Sequence, residues 1–145
     1  MFEIRVCLSR GLTDEKDLDT VLISFLSDIG YLQEIETYDK AQELKKSIAY
    51  MLFKNCFLMH PKKEWSPEEL ISELNISRPT LYRHLNKIRN MDLLETMQDG
   101  KYKRYKLRYE NFSKAWVFVE ANLKLAIDNY NKTVQHIQTL MEGRK

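Results

Sequence analysis

The sequence predicts a mostly α-helical fold with one small β-hairpin. Apolar residues recur at helical spacing along most of the chain, and two strand-like runs flank the pair Asp99-Gly100. The 145 residues include only 4 Gly and 3 Pro, with 43% hydrophobic and 30% charged residues, which is typical of a folded globular chain. No apolar run approaches the roughly 20 residues of a membrane span, and the first residues lack a secretory signal pattern. We therefore expect a cytoplasmic protein that does not enter a membrane.

Two helices are predicted before residue 60, after a short strand or extended lead-in at residues 2–8. Thr13 can cap the first, which ends at Gly30, and its apolar stripe is Leu18, Val21, Leu22, Phe25, Leu26 and Ile29. The second is predicted as one helix over residues 38–59, because the residue before Pro61 avoids the α region. Its apolar stripe is Ala41, Leu44, Ile48, Leu52, Cys56 and Met59.

Residues 66–90 predict two short helices joined by a tight turn. Ser66 and Glu69 have the spacing of a capping box, with a proline in the first helical position. Asn75 tolerates a left-handed backbone and is expected to end this helix, and Ser77 can cap the next one. Two helices joined by such a turn form a helix-turn-helix.

The second of these helices, starting at about Arg78, has a buried and a polar face. Leu81, Leu85 and Ile88 form the stripe expected to face the core. Arginine, asparagine and threonine on the other face can bind base edges in a major groove. The polar residues assigned to DNA binding are Arg78, Thr80, Tyr82, Arg83, Asn86 and Lys87, with Arg89 also expected to point outward. The alternative is that this face is merely solvated.

The predicted hairpin, centred on residues 100–106, is strongly basic. Its strands cover residues 93–97 and 101–107 and are separated by Gln98-Asp99-Gly100, since Asp-Gly favours hairpin turns. Tyr105 and Leu107 are expected to face the core. Lys101, Lys103 and Arg104 are predicted to bind DNA, because such a density of cations is costly unless phosphates neutralise it, and Lys106 adds to the density. The alternative is an edge strand kept soluble by lysine.

Charge is distributed unevenly along the chain, although its net value is only +2. Residues 1–39 carry 3 basic and 9 acidic side chains, whereas residues 77–108 carry 9 basic and 3 acidic ones. A net charge of −6 therefore contrasts with one of +6. The basic segment is suited to a polyanion.

Residues 40–108 resemble the winged helix-turn-helix of ArsR-, MarR- and GbsR-type transcriptional regulators, through SPEELISELNISRPTLYRHLNKIRNMDLLE and GKYKRYKL. The resemblance implies a dimeric regulator that binds a pseudo-palindromic operator. Metal-sensing ArsR members carry a cysteine pair on the first helix of the motif, where this chain has Glu68, Glu69 and Glu73, so metal sensing is not expected. Asp92 stands where a glycine often follows the recognition helix, and aspartate also adopts left-handed backbone.

A long C-terminal helix, residues 112–141, carries a heptad-like apolar seam and is the predicted dimerisation element. The residues assigned to the dimer interface are Leu22, Phe25, Trp116, Val119, Leu123, Ala126, Tyr130 and Ile137. The alternative is that the N-terminal and C-terminal helices pack on each other within one chain. Three parts follow: an N-terminal extension (1–37), a winged helix-turn-helix DNA-binding domain (38–108) and the C-terminal helix (109–145).

The sequence therefore favours a sequence-specific double-stranded DNA-binding regulator that acts as a homodimer. The alternative is a winged-helix module that binds protein in a transcription or chromosome-organising complex. No enzyme is expected, because the chain has no phosphate loop, nucleophile motif or metal-ligand cluster. No cofactor or metal is expected, and Cys7 and Cys56 are interpreted as buried thiols. Phe25, Trp116 and Tyr130 could line an effector pocket, but ordinary core packing is favoured.

Overall fold

The computed structural model describes residues 2–8, 11–33 and 38–144. The mostly helical fold with one hairpin and flanking helices is confirmed. In chain order the elements are α1 (Leu18–Asp28), α2 (Tyr38–Lys45), α3 (Ile48–Met51), a π-helix (Leu52–Leu58), α4 (Pro67–Leu74), α5 (Arg78–Asn90), β1 (Leu94–Asp99), β2 (Tyr102–Leu107), a 3-10 turn (Arg108–Glu110) and α6 (Phe112–Glu142).

Helix α1 begins later than the sequence predicts. The Asp17 carboxylate accepts a hydrogen bond from the Thr20 backbone N–H at 3.0 Å, so this residue, and not Thr13, is the N-cap. Residues 2–8 form an extended lead-in, whose backbone pairs once with Asn90 and once with Ile29. The prediction that Cys7 is buried is wrong, because its thiol is exposed beside the C-terminal end of α1.

The predicted single helix over residues 38–59 is interrupted. Ser47 has extended backbone (φ −70°, ψ 148°), and its hydroxyl accepts a hydrogen bond from the Tyr50 N–H, which ends one helix and caps the next. The chain then becomes π-helical from Leu52. The stripe prediction is correct at Leu44, Leu52 and Cys56, which are buried, but wrong at Met59, which is 55% exposed.

The helix-turn-helix forms as the sequence predicts. Ser66 and Glu69 complete a capping box, with each side chain accepting a hydrogen bond from the other residue's backbone N–H, at 3.2 and 3.3 Å. Asn75 is left-handed (φ 53°, ψ 55°), and the Ser77 hydroxyl caps α5. Asp92 is also left-handed, with φ 63°.

The hairpin is an antiparallel pair whose register places Asp99 opposite Tyr102. The turn is therefore Gly100-Lys101, and β1 extends two residues beyond the predicted end of the first strand. Trp65 adds a short third pairing, because its backbone exchanges hydrogen bonds with Tyr105 at 2.7 and 2.8 Å. The Trp65 indole N–H also donates to the Cys56 carbonyl of the π-helix, so the hairpin is anchored to the core.

Helix α6 has two different halves. Its first turns pack on the core, with Ala115 and Val119 fully buried and the Trp116 ring 5.0 Å from that of Phe25 on α1. From Leu125 onward its large apolar side chains are exposed, including Tyr130 at 71%. Among the described residues, no helix is both long and apolar enough to cross a membrane.

Candidate nucleic-acid interface

Helix α5 separates its apolar and polar residues as predicted. Leu81, Leu85 and Ile88 are fully buried, which fixes the orientation of the helix on the core. Four of the polar residues assigned to DNA are consequently exposed, namely Arg78, Arg83, Asn86 and Lys87. These side chains are free of core packing and can contact a ligand laid across the helix.

Thr80 and Tyr82 are half-buried. The Thr80 hydroxyl accepts a hydrogen bond from the Ser77 hydroxyl at 2.9 Å, and Tyr82 packs partly against the core. Both residues therefore have a local structural role besides any contact that they make with a ligand. Their exposed atoms lie on the N-terminal half of α5, the part of a recognition helix that usually meets base edges.

A polar groove with a volume of about 390 Å³ separates α5 from the hairpin. Arg78, Tyr82 and Arg89 line its helical side. Residues 101–105 of the hairpin line the opposite side, and residues 66–68 complete the rim. The helix and the basic hairpin therefore border one concave surface. None of the described residues that line it belongs to the acidic first 33 residues.

The cations around this groove differ in whether they have an acidic partner. Within the described parts of the chain, Lys101 and Lys103 form no ion pair. Arg104 lies 3.7 Å from Glu64, and Arg78 lies 2.9 Å from Glu68. These two pairs are largely exposed, so each contributes little to stability and can be exchanged for a phosphate.

Lys106, on β2, is held more firmly than the other cations of the hairpin, which is called the wing below (residues 94–107). Its ammonium group lies 3.1 Å from the Glu110 carboxylate and 3.7 Å from that of Glu95. The hydrogen bond to Glu110 is the main cause of a raised Lys106 pKa. Lys106 therefore contributes less free positive charge to the groove than Lys101 and Lys103 do.

The family model described as "Bacterial regulatory protein, arsR family" matches residues 58–96. These residues run from the end of the π-helix through α4 and α5 into β1. Residues 58–96, called the ArsR-type domain below, are therefore similar to the helix-turn-helix of this family. The match confirms the resemblance to winged helix-turn-helix regulators, and it supports a function as a DNA-binding transcription regulator.

Other known proteins show weaker similarity to the chain. Among solved structures, the chain is similar to the crystal structure of M. tuberculosis Rv0081, with 15% sequence identity and a TM-score of 0.40. This similarity covers 67% of the present chain and 98% of the other. No curated protein matches the chain.

Two residues of the ArsR-type domain were not among the site residues assigned from sequence. Arg89 lines the groove, and its guanidinium lies 5.5 Å from the centre of the Tyr105 ring. The helical period already predicted that Arg89 points outward, and its position seven residues after Tyr82 places it on the same side of α5. His84 is half-buried beside Arg83, and its pKa is lowered by desolvation first and then by Arg83 and Lys87. The imidazole is therefore neutral at pH 7 and adds no charge to this surface.

The site has the chemistry of a binding surface. Residues 2–8, 11–33 and 38–144 contain no group of three His, Cys, Asp or Glu side chains that could hold a metal ion. The groove instead contains guanidinium, ammonium and phenol groups, which donate hydrogen bonds to phosphates and base edges.

Proposed function

We propose that the chain is a transcription regulator that binds double-stranded DNA sequence-specifically as a homodimer. The observation that carries the proposal is the shared groove between α5 and the hairpin, because it makes the polar face of the helix continuous with the basic wing. In this arrangement α5 enters the major groove, and the wing follows the phosphate backbone. We further propose that residues 38–108 bind DNA, that residues 109–145 dimerise and that the protein acts in the cytoplasm.

Arg83 and Asn86 are the proposed base readers. Both are exposed on α5, where Arg83 can bind guanine O6 and N7 and Asn86 can pair with adenine. The Asn86 amide oxygen accepts a hydrogen bond from Arg89 at 3.3 Å, which restrains the orientation of the amide. Thr80 and Tyr82 contribute their exposed edges.

The wing and the two ends of α5 are proposed to bind phosphates. Lys101 and Lys103 project from the hairpin without an ion-pair partner in the described part of the chain, so phosphate binding breaks no existing bridge. Arg78 and Arg104 add two further cations to the lining of the groove, and Lys87 adds an exposed one on α5. Such contacts release counterions and make binding strongly dependent on salt.

The distal half of α6 is the proposed dimer interface. Of the residues assigned from sequence, Leu22 and Val119 are buried within one chain, and Phe25 and Trp116 pack on each other. Past residue 122, Tyr130 and Ile137 are exposed, and Leu123 and Ala126 are half-exposed. The apolar positions of this half are spaced by four and three residues, as in a coiled coil: Leu123, Ile127, Tyr130, Val134, Ile137 and Met141.

A coiled coil of this kind supplies cover for the apolar seam and a second DNA-binding domain, both of which one chain lacks. The seam from Leu123 to Met141 is about 27 Å long at 1.5 Å per residue, and two copies would cover each other's apolar faces. A two-fold axis through it also duplicates α5. Two recognition helices about one DNA turn apart suit a pseudo-palindromic operator.

Selection of bound sequences from random duplex DNA tests the proposal. We expect a two-fold symmetric consensus, an affinity that falls steeply with salt, and a loss of about 1 to 3 kcal/mol for Arg83→Ala. Arg144→Ala, in the exposed C-terminal residues, is the matched control and should bind like the wild type. Recovery of random sequences would contradict sequence-specific binding. Absence of DNA binding at low salt would favour a protein-binding module instead.

A further inference from the structure

A second cavity, of about 590 Å³, lies between α1 and the beginning of α6. It shares no lining residue with the groove beside α5. Its volume falls within the roughly 300 to 1,000 Å³ of small-molecule sites in proteins. The cavity is therefore large enough to bind a small molecule independently of the DNA surface.

One wall of this cavity is aromatic. Phe25 of α1 meets Trp116 edge-to-face with ring centres 5.0 Å apart, and meets Phe112 in the same way at 5.9 Å. Leu58, at the end of the π-helix, also contributes to the lining. The three rings hold one another in place, so they present a preformed apolar surface that suits a ring or another compact apolar group.

Asp28 is the one ionisable side chain among the described residues that line the cavity. Its carboxylate has no hydrogen bond or ion pair within the described part of the chain. The nearby Arg5 guanidinium donates to the backbone carbonyls of Ser27 and Asp28, which are C-terminal carbonyls of α1.

The position of Asp28 is unfavourable for the helix itself. Asp28 is the last residue of α1, where the negative end of the helix dipole opposes a carboxylate, and the last turn contains no basic residue. Folding of α1 therefore gives no reason for an acid at this position. Because Arg5 already compensates the C-terminal carbonyls of α1, a cation in the cavity would compensate the Asp28 carboxylate.

We propose that this cavity binds a small apolar amine. The apolar body of the ligand packs against Phe25, Phe112 and Trp116, and its protonated nitrogen pairs with the Asp28 carboxylate. The charge of Asp28 selects an amine over a neutral or anionic compound of the same shape. The site does not depend on the proposed DNA-binding function.

Calorimetric titration of the full chain with 1-naphthylmethylamine tests the proposal, with the isosteric 1-naphthylmethanol as the neutral comparison. We expect the amine to bind about tenfold more tightly than the alcohol, as for one charge-assisted hydrogen bond. Asp28→Asn should abolish this preference while leaving the affinity for the alcohol unchanged. Asp128→Asn, on the exposed part of α6, is the matched control and should keep the preference.

Leu18→Trp tests the location of the site independently of the charge. Leu18 lines the cavity and is 51% exposed, so a larger side chain there should obstruct the cavity without unfolding the chain, and should weaken both compounds about tenfold. Equal affinities of the amine and the alcohol for the wild type, or an unchanged preference in Asp28→Asn, would overturn the proposal. Failure of both compounds to bind at millimolar concentration would do the same. Loss of binding as the chain self-associates would show that a second copy of the chain occupies the cavity. This result would also overturn the proposal.

Discussion

The segment 66–107 and the distal half of α6 bury their apolar side chains to very different extents. In the first, Leu81 and Leu85 are fully buried, and Ser66 and Ser77 cap the helices. In the second, helix continues to Glu142 although its apolar side chains are mostly more than half exposed. The first region thus buries its apolar side chains within one chain, whereas the second leaves an apolar face uncovered by any described residue of that chain.

The difference shows that the two regions depend on different sources of stability. Most helical stability in proteins comes from packing of an apolar face. From Ile127 to Glu142 every side chain is exposed, so this part of α6 has no such packing within the described part of one chain. We infer that a second copy provides it.

The largest effect is expected from placing charge in the distal seam. Ile127→Asp combined with Val134→Asp should raise the dimer dissociation constant more than about 100-fold, because both carboxylates would be buried between apolar helices. Sedimentation equilibrium measures this constant. The control Asn129→Asp with Thr139→Asp adds the same charge outside the seam and should dimerise like the wild type.

A wild-type monomer at micromolar concentration would contradict the inference that the distal half of α6 needs a second copy, because this half would then be stable alone. A double variant that remains fully dimeric would move the interface to another surface. Either result would leave the DNA-binding proposal for α5 and the wing to be judged on the selection experiment.

Some features of the chain could be predicted from the sequence, and others could not. The capping box at Ser66 and the left-handed Asn75 and Asp92 were predicted correctly, because each depends on neighbouring residues only. Ser47 was missed, since apolar periodicity continues across it while its backbone becomes extended. The turn was misplaced because Asp-Gly favours it locally, whereas pairing of Asp99 with Tyr102 depends on the register of both strands.

Features that join distant residues were not predictable from local pattern. Pairing of Trp65 with Tyr105 links residues 40 positions apart, and the cavity beside Asp28 forms only when α1 meets α6. The heptad-like seam was identified in outline. However, sequence alone could not show that Val119 is buried in the core and that the exposed seam begins near Leu123.

The next largest effect is expected from shortening a buried side chain in residues 66–107. Leu85→Ala should lower the free energy of unfolding by about 2 to 5 kcal/mol, because Leu85 is fully buried and leaves a cavity. Urea denaturation should give the same loss at every protein concentration. Ile137→Ala, at a 53% exposed position, should instead cause a loss only where the chain is dimeric. A concentration-independent loss in Ile137→Ala would contradict the division into two regions.

A smaller effect is expected from removing one wing cation. Lys103→Ala should weaken binding to all DNA sequences alike and reduce the slope of log affinity against log salt by about 1, because one phosphate contact is lost. Titrations over a range of salt concentrations measure this slope. Lys132→Ala, on the exposed distal part of α6, has the same change in net charge and should leave the slope unaltered. If Lys103→Ala instead changed the preferred sequence, the wing would read bases.

The smallest effect concerns His84, which is half-buried on α5. Desolvation and the charges of Arg83 and Lys87 lower its pKa in the folded state, so the unfolded chain binds a proton more readily. Stability should therefore rise with pH between the folded-state pKa and the unfolded value of about 6.5, and the contribution of His84 should be level above that. His84→Gln should flatten the change in urea midpoint between about pH 5 and pH 7, whereas His136→Gln, at an exposed site, should not. An unchanged pH dependence in His84→Gln would mean that the acid-sensitive group lies outside α5.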